Sequence, residues 1–338
     1  MARDDGPRFS LGRSLLFSSV LVVGFFALAE ASLRLVGIRE RRVPPRLLVR
    51  EMDTDITLPF MREDHDLFWS PQPGFRGRFR DKPVTINALG LRGPEVAIPK
   101  PPGRKRLACF GDSITFGYAI GDTETYSAQL GLRLADRGVE VVNAGVTGYT
   151  SFQVLGLLRR LAPRLDADFA TILIGWNDGN KRPVTDLDYM RRLRLATAAE
   201  GALDRLYLYK ALRNVYLRFA LAALPSAPRT QRGPVPLYRE NLRAIVAECR
   251  AHSIRPAFIA LPRRRLPGET PPRPAHADAL AETARELGVP LLDVGELGLD
   301  TPLASNASDF IDALHFSPVG SETLAELLAR QLIALGWV

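Results

Sequence analysis

Short continuous apolar runs alternate with amphipathic stretches from residue 106 to the C-terminus. Runs of this length without internal alternation are typical of strands covered on both faces. Strands and helices in alternation predict an α/β fold with a parallel sheet and right-handed crossovers. The runs lie at 107–110, 139–142, 169–174, 257–261 and 291–294, and helices are predicted at about 124–137, 150–165, 236–252, 275–287 and 319–335.

Residues 181–235 interrupt this alternation between the third and fourth predicted strands. Leu208, Leu212, Val215 and Phe219 recur at helical spacing, and basic residues take the other side. A basic amphipathic helix of this kind packs on its domain with a solvated basic face, lies on a membrane, or covers an active site as a lid. The sequence leaves these three interpretations open.

The N-terminal region contains a long apolar segment. No charge occurs from Ser14 to Ala29, and a helix over Ser14–Leu33 would be about 30 Å long at ~1.5 Å per residue, enough to span a bilayer. We predict a basic tail at 1–13 and a membrane anchor at 14–36, with the following domain outside the cytoplasm. A signal peptide cleaved near Ala29 also fits, because Ala-Leu-Ala has the small-x-small pattern. The arginines that follow favour the opposite orientation, although large domains translocate despite such charges.

The remaining chain divides into a connector and a main domain. Residues 37–103 are rich in Pro and Arg, show little periodicity, and are predicted to pack on the main domain at 104–338. Apolar residues at 68–69 and the stretch at 84–87 are compatible with short strands inside the connector.

Composition narrows the range of functions. The 338 residues are 46% hydrophobic and 24% charged, which fits a folded protein, and two cysteines exclude a disulfide scaffold or a Cys-built zinc site. The net charge of +8 comes mostly from scattered arginines without aromatic interleaving or finger spacing, so we expect no nucleic-acid partner. A basic cluster at 39–50 follows the apolar segment, which fits either anionic lipid head groups or a solvated connector.

Polar and glycine-rich motifs follow the first three predicted strands. Gly-Asp-Ser at 111–113 comes after the first strand, Gly145 lies after the second, and Asn177 follows the third. Parallel sheets bind their ligands at the carboxyl ends of their strands, so these residues should meet at one edge. A serine at a strand-to-helix turn is well placed for a nucleophile, although each motif alone is also compatible with an ordinary turn or cap.

A fourth motif lies just before the final helix. Asp312 and His315 are three residues apart on a turn, close enough for the carboxylate to fix the imidazole tautomer and stabilise its positive charge. Of the four histidines in the chain, only His315 follows an acid at this spacing.

These four blocks together resemble the SGNH, or GDSL-type, serine hydrolase family. They occur in the order typical of that family, at 111–113, 145, 175–178 and 312–315, and the resemblance covers residues 104–338 apart from the insertion. The stretch at 86–93 is similar to the leader region of membrane-tethered bacterial members.

The resemblance implies a three-layer α/β/α sandwich of the flavodoxin-like kind, with a parallel sheet of about five strands. It also implies ester hydrolysis through an acyl-serine, with Ser113 as the nucleophile, His315 as the general base and Asp312 orienting it. The oxyanion hole would comprise the backbone N–H of Ser113, the backbone N–H of Gly145 and the Asn177 side chain. No metal or organic cofactor is needed for this chemistry.

Three functions are compatible with this resemblance. The first is an esterase for short acyl esters, such as O-acetyl groups on a cell-envelope polysaccharide or lipid. The second is an O-acyltransferase, in which a sugar hydroxyl replaces water in resolving the acyl-serine. The third is a non-catalytic glycan-binding protein on the same fold. The sequence does not separate them, since the acceptor that the cleft admits decides between hydrolysis and transfer.

Overall fold

The computed structural model describes residues 11–36, 58–197, 203, 205–222, 230–260, 275–293, 307–312 and 314–338. The chain divides into two units, one formed by Met1–Leu48 with Met190–Ala227 and the other by Val49–Tyr189 with Pro228–Val338. The strands are β1 (Met61–Asp64), β2 (Phe68–Pro71), β3 (Arg76–Phe79), β4 (Lys82–Thr85), β5 (Lys105–Gly111), β6 (Val139–Gly145), β7 (Phe169–Leu173), β8 (Lys181–Arg182), β9 (Thr230–Gln231), β10 (Arg255–Ala260) and β11 (Leu291–Asp293). The helices are α1 (Leu11–Val36), α2 (Ser113–Phe116), α3 (Tyr126–Leu134), α4 (Ser151–Leu165), α5 (Asp186–Thr197), α6 (Tyr207–Ala222), α7 (Val235–Ala251), α8 (Ala275–Leu287) and α9 (Pro318–Ala334).

The five apolar runs form one parallel sheet with the strand order β11-β10-β7-β5-β6. This is the doubly wound order of flavodoxin-like folds, in which the chain reverses direction across the sheet next to the first strand. The predicted α/β fold with five parallel strands is therefore confirmed. The first strand, β5, lies between β6 and β7, and Gly111 at its end pairs with Gly145 on one side and Leu173 on the other.

Both faces of the sheet are buried, which explains the continuous apolar runs. Leu107 and Cys109 of β5 belong to a core cluster with residues of α3 and α9, such as Leu130 and Leu328. The alternate residues of β5, including Phe110, are also buried. Helix α7 packs against both α4 and α8, so helices cover the sheet in the arrangement expected when crossovers alternate between faces.

The described part of the connector forms two antiparallel hairpins, β1–β2 and β3–β4, that pack on the domain built around the parallel sheet. Phe60 stacks on Phe116 of α2 with ring centroids 5.0 Å apart. The Trp69 indole donates to the carbonyl of Thr147 at 3.0 Å, and the Tyr149 hydroxyl donates to the carbonyl of Trp69 at 2.6 Å. These contacts tie the connector to loops at the carboxyl edge of the sheet. Residues 37–57 of the connector lie outside the described residues.

The insertion starts and ends at a narrow neck formed by β8 and β9. Arg232 follows β9, and its guanidinium forms a buried ion pair with Asp186 at 2.9 Å. The Asp186 carboxylate also accepts a hydrogen bond from the Thr150 hydroxyl. Within the insertion, the predicted amphipathic helix is observed as α6, which begins at Tyr207. Arg232 also donates to the carbonyl of Gly148, so the neck is joined to the loop after β6.

Candidate active site

The three strand-end motifs lie side by side because β6, β5 and β7 are neighbours in the sheet. Gly111 ends β5, and a methyl group at this position would lie 2.2 Å from the Thr115 Oγ1 atom and 2.6 Å from the Leu173 carbonyl oxygen. Only glycine fits there. The chain then turns into α2, and Asp112 caps that helix by accepting the N–H of Ile114 at 3.0 Å. Ser113 is thereby fixed at the first position of α2.

His315 lies directly over Ser113, although 202 residues separate them in sequence. The His315 Nε2 atom is 2.8 Å from the Ser113 Oγ atom, and Nδ1 is 2.8 Å from Oδ2 of Asp312. The other carboxylate oxygen of Asp312 accepts the backbone N–H groups of Leu314 and His315, each at 2.8 Å. The structure thus joins Ser113, His315 and Asp312 in one chain of hydrogen bonds.

The Asp312 carboxylate remains ionised in this setting. Its partial burial would raise its pKa, but the hydrogen bonds from the backbone and imidazole of His315 and from the backbone of Leu314 outweigh burial, and the pKa is lowered below its ordinary value. An ionised Asp312 accepts the Nδ1–H of His315 and leaves Nε2 free to accept the hydroxyl proton of Ser113.

The loop that carries His315 is held at both ends. The N–H of Ser317 donates to the carbonyl of Asp309 at 2.8 Å, and the N–H of Ile311 donates to the carbonyl of His315 at 2.8 Å. The Ser317 hydroxyl then caps α9 by accepting the N–H of Gly320 at 3.2 Å. The loop backbone therefore fixes where residue 315 lies, and the hydrogen bond to Asp312 orients its imidazole.

Tyr118 is a site residue that the sequence did not reveal. Its ring packs against the His315 imidazole at an angle of 31°, with centroids 4.6 Å apart, and the Phe79 ring meets the Tyr118 ring edge-on with centroids 5.3 Å apart. The Arg80 guanidinium lies 5.1 Å from the same ring centroid. Phe79 ends β3 and Arg80 follows it in the turn to β4, so the connector forms one wall of the site. Nothing in the local pattern around Tyr118 links it to a histidine nearly two hundred residues later.

Asn177 is held in the turn after β7. Its Nδ2 group donates to the carbonyl of Tyr149 at 3.0 Å and lies 3.5 Å from Oδ2 of Asp112, while its Oδ1 atom accepts from Asn180 at 3.2 Å. The amide is thus next to the turn that carries Ser113, at the edge where the sequence placed it.

A buried carboxylate anchors this turn. Asp178 accepts the N–H of Ser151 at 3.0 Å and the Ser151 hydroxyl at 2.5 Å, at the start of α4. Asn241 in turn donates to the Ser151 hydroxyl at 2.9 Å. Complete burial raises the pKa of Asp178 to about 6, although the Ser151 donors oppose this. A side chain at Gly233 would lie 2.2 Å from the Asp178 carboxylate. The chain that follows β9 therefore packs directly against Asp178.

The backbone N–H of Gly145 does not point freely towards the serine. It donates to Oδ1 of Asn143 at 2.9 Å, because the Asn143 side chain folds back along β6 and also donates to the carbonyl of Thr115 at 2.8 Å. Gly148, three residues later, has φ +73° and precedes the Tyr149 carbonyl that contacts Asn177. Among the described residues no acceptor receives the Gly148 N–H. Gly148 therefore offers an N–H group to a ligand at this edge of the sheet, and its position in the turn after the strand is the sequence feature that could have indicated it.

Arg92 from the connector braces the helix that begins with Ser113. Its buried guanidinium donates to the carbonyls of Phe116 at 2.7 Å, Gly117 at 2.5 Å and Ile120 at 2.6 Å, and pairs with Asp122 at 3.0 Å. Burial lowers the pKa of Arg92, and Asp122 opposes this shift. Arg92 belongs to the stretch at 86–93, and its partners could not be read from the sequence.

The arrangement is that of a hydroxyl activated by an imidazole whose tautomer a carboxylate fixes, a combination suited to acyl transfer. Within the described ranges, no group of three or more His, Cys, Asp or Glu gathers in a way that would hold a metal ion.

Residues 109–323 match the family model of the GDSL-like lipase/acylhydrolases. The chain belongs to this family. It is an ester-bond hydrolase of the GDSL type.

Solved structures of other GDSL-type and related hydrolases are similar to this GDSL hydrolase. The acetyl xylan esterase AlAXEase is 13% identical, with a TM-score of 0.46, and the match covers 67% of this chain and 99% of that one. The lipase/acylhydrolase from Enterococcus faecalis is 23% identical, with a TM-score of 0.42 and coverage of 68% and 96%. The esterase EstA from Pseudoalteromonas sp. is 16% identical, with a TM-score of 0.44 and coverage of 68% and 98%. No curated protein matches the chain in sequence.

Proposed function

We propose that this GDSL-type hydrolase is a serine esterase that cleaves carboxylic esters of short acyl groups through an acyl-serine intermediate. The observation that carries the proposal is the pair of 2.8 Å contacts from His315 to Ser113 and Asp312. A neutral imidazole in this position removes the hydroxyl proton as the oxygen attacks, and the Asp312 carboxylate stabilises the imidazolium that forms.

The reaction proceeds in two half-reactions. The Ser113 Oγ atom bonds to the ester carbonyl carbon while its proton passes to Nε2 of His315, and the carbonyl electrons move to oxygen. Collapse of this tetrahedral intermediate breaks the bond to the alcohol oxygen, which takes the proton from His315. Water then attacks the acyl-serine with His315 again as the base, releasing the carboxylic acid and restoring Ser113.

The oxyanion is stabilised by three donors in this proposal. They are the backbone N–H of Ser113, the Asn177 side chain and the backbone N–H of Gly148. We assign the third donor to Gly148 rather than Gly145, because the Gly145 N–H already donates to Asn143. Donors of this kind are fixed before the reaction begins, so they stabilise the developing charge without reorganisation.

The preference for short acyl groups is the least constrained part of this proposal's chemistry. The groups beside Ser113 and His315 include the polar side chains of Asp112 and Asn177 together with the Tyr118 ring. An acetyl or similar group needs little apolar surface to bury, so it suits a site with polar neighbours.

We also propose that α1 anchors the chain in a membrane and that the hydrolase domain at 104–338 lies outside the cytoplasm. Gly12–Val36 is long and apolar enough to cross a bilayer. A reporter enzyme fused after Val338 tests this orientation, because activity confined to a cytoplasmic reporter would contradict it. A mature chain that begins after Ala29 would show instead that the segment is a cleaved signal peptide.

The esterase proposal is tested with p-nitrophenyl esters from acetate to long acyl chains, using the full chain in detergent. We expect turnover to be highest on acetate to butyrate and to be lost in Ser113→Ala and His315→Ala. His252→Ala is the matched control, since His252 lies at the end of α7 and not in the site, and it should retain wild-type turnover. Undiminished hydrolysis by Ser113→Ala, or a preference for long chains, would contradict the corresponding part of the proposal.

A further inference from the structure

Helix α6 of the insertion is fastened to the apolar helix α1 by one carboxylate. Glu30 accepts the backbone N–H groups of Tyr207 at 3.0 Å and Leu208 at 2.8 Å, which are the first two residues of α6. These N–H groups have no partner inside their own helix, so Glu30 supplies the cap that they need. Arg34 reinforces the junction by donating to Glu30 at 2.7 Å and to the carbonyl of Arg205 at 3.1 Å.

This junction lies at the end of the apolar part of α1. Glu30 is the first charged residue after the uncharged stretch Ser14–Ala29, which covers about 24 Å at ~1.5 Å per residue. The hydrocarbon core of a bilayer is about 30 Å thick. The uncharged stretch is somewhat shorter than this core, so if α1 spans a membrane, as proposed above, the junction with α6 lies close to the boundary between acyl chains and head groups.

Helix α6 presents an apolar stripe that is exposed among the residues that the structure describes. The side chains of Leu212, Val215 and Phe219 are 60%, 52% and 71% exposed, and their spacing places them on one side of the helix. Tyr207, at the start of α6, contacts two cations, with the Arg34 guanidinium 5.6 Å and the Lys210 ammonium 5.3 Å from its ring centroid. An apolar stripe beside an aromatic ring and basic groups is the composition of helices that lie in a membrane interface.

We propose that α6 is an interfacial helix that lies on the same bilayer that α1 spans, with Leu212, Val215 and Phe219 inserted among the acyl chains. The partner of this exposed stripe is a bilayer that contains anionic phospholipids, because Arg34, Arg205 and Lys210 lie at the head-group end of the junction. Glu30 sets the depth of α6 by tying its first turn to the end of the spanning helix. The inference rests on the proposed membrane anchor but not on the esterase mechanism.

The test measures the depth of single spin labels on the full chain in vesicles of phosphatidylcholine and phosphatidylglycerol. Phe219→Cys carries the label on the stripe, and Asn214→Cys carries it elsewhere on the same helix as a matched control. The native residues Cys109 and Cys249 are buried and should not react. We expect the label at 219 to collide more with oxygen than with a water-soluble nickel reagent, and the label at 214 to show the reverse order.

The outcomes separate the anchor from the interfacial helix. A chain that fails to float with the vesicles overturns the anchor and this inference with it. A chain that floats but exposes the label at 219 to the nickel reagent overturns only the inference. A label at 219 that is shielded from both reagents indicates a protein occupant, such as a second copy of the chain, and also overturns it.

The role of Glu30 is tested in the same assay. Glu30→Ala removes the acceptor of both α6 N–H groups, so the label at 219 should lose its immersion while flotation and ester hydrolysis in detergent remain. Unchanged hydrolysis shows that the variant is folded. An unchanged depth at 219 in Glu30→Ala would contradict the proposed role of the junction.

Discussion

Replacing Arg92 should damage both the stability and the activity of this hydrolase. The buried guanidinium donates to the carbonyls of Phe116, Gly117 and Ile120 and pairs with Asp122. Arg92→Met keeps much of the apolar stem but leaves these acceptors without their donors. Because each unsatisfied buried group costs about 1–3 kcal/mol, we expect a loss of about 4 kcal/mol in the free energy of unfolding, with the partly exposed Asp122 adding little.

Thermal unfolding and steady-state kinetics check this prediction together. A loss of about 4 kcal/mol corresponds to a fall in Tm of about 10 °C for a domain of this size. The kcat should fall by about 10-fold or more, because the freed carbonyls belong to the helix that starts at Ser113 and small displacements of a nucleophile are costly. Arg62→Met, an exposed residue of the same connector, is the matched control and should change neither quantity appreciably. A Tm within about 3 °C of wild type with unchanged kcat would refute the reasoning.

Three further predictions concern the neighbouring strand ends. Asn177→Ala should lower kcat about 100- to 1000-fold on p-nitrophenyl acetate, and it should lose about 1 kcal/mol of stability because the Tyr149 carbonyl loses its donor. A change in kcat of less than about 10-fold would remove Asn177 from the oxyanion hole. Gly145→Ala should lose about 2 kcal/mol of stability, since its Cβ would lie 2.3 Å from the Phe116 nitrogen. Gly131 lies in helix α3, and a methyl group added there would be 3.5 Å from its nearest neighbour, so Gly131→Ala should be neutral or stabilising. Equal effects of the two substitutions would contradict the packing argument. Because the pKa of Asp178 is raised to about 6 from an ordinary 3.8, the folded chain binds this proton more tightly than the unfolded chain. Its stabilising contribution of about 3 kcal/mol should be complete below pH 4 and lost as the pH rises through 6. The free energy of unfolding in urea should therefore fall over this pH range in the wild type more than in Asp178→Asn. Parallel pH profiles of the two proteins would contradict this role of Asp178.

The sheet and its helices could be predicted because their pattern is local. A strand covered on both faces must be apolar along its whole length, so the pattern predicts β5 and β7 to within two residues of their observed ends. Helix α8, predicted at 275–287, is observed at Ala275–Leu287. The order of the four motifs along the chain likewise indicated which residues would meet, because the carboxyl ends of neighbouring parallel strands share one edge.

The parts that escaped prediction depend on contacts between distant segments. The Gly145 N–H is taken by the Asn143 side chain, a local contact that competes with any ligand but has no sequence signature. Tyr118 lies on His315 only because the final loop returns to the first strand. The partners of Arg92 are carbonyl groups, which every residue carries, so no residue type marks them.

The hydrogen bonds that link Asp312, His315 and Ser113 also predict how the site responds to acid. The lowered pKa of Asp312 means that its ionised form is stabilised in the folded chain, a contribution present at neutral pH and lost as the pH falls through the folded value. Protonation of Asp312 removes the acceptor for Nδ1–H of His315. Activity should therefore decline on the acid side together with the integrity of this loop.

Covalent trapping of the nucleophile tests the central claim most directly. A fluorophosphonate reacts with a serine whose hydroxyl is activated by a general base, and mass spectrometry locates the added group on one peptide. The account predicts a single adduct on Ser113 with parallel loss of ester hydrolysis, no adduct in Ser113→Ala, and strongly slowed labelling in His315→Ala. Exposed Ser308 should remain unlabelled. An adduct on another residue, or full hydrolysis by a chain labelled at Ser113, would contradict the account.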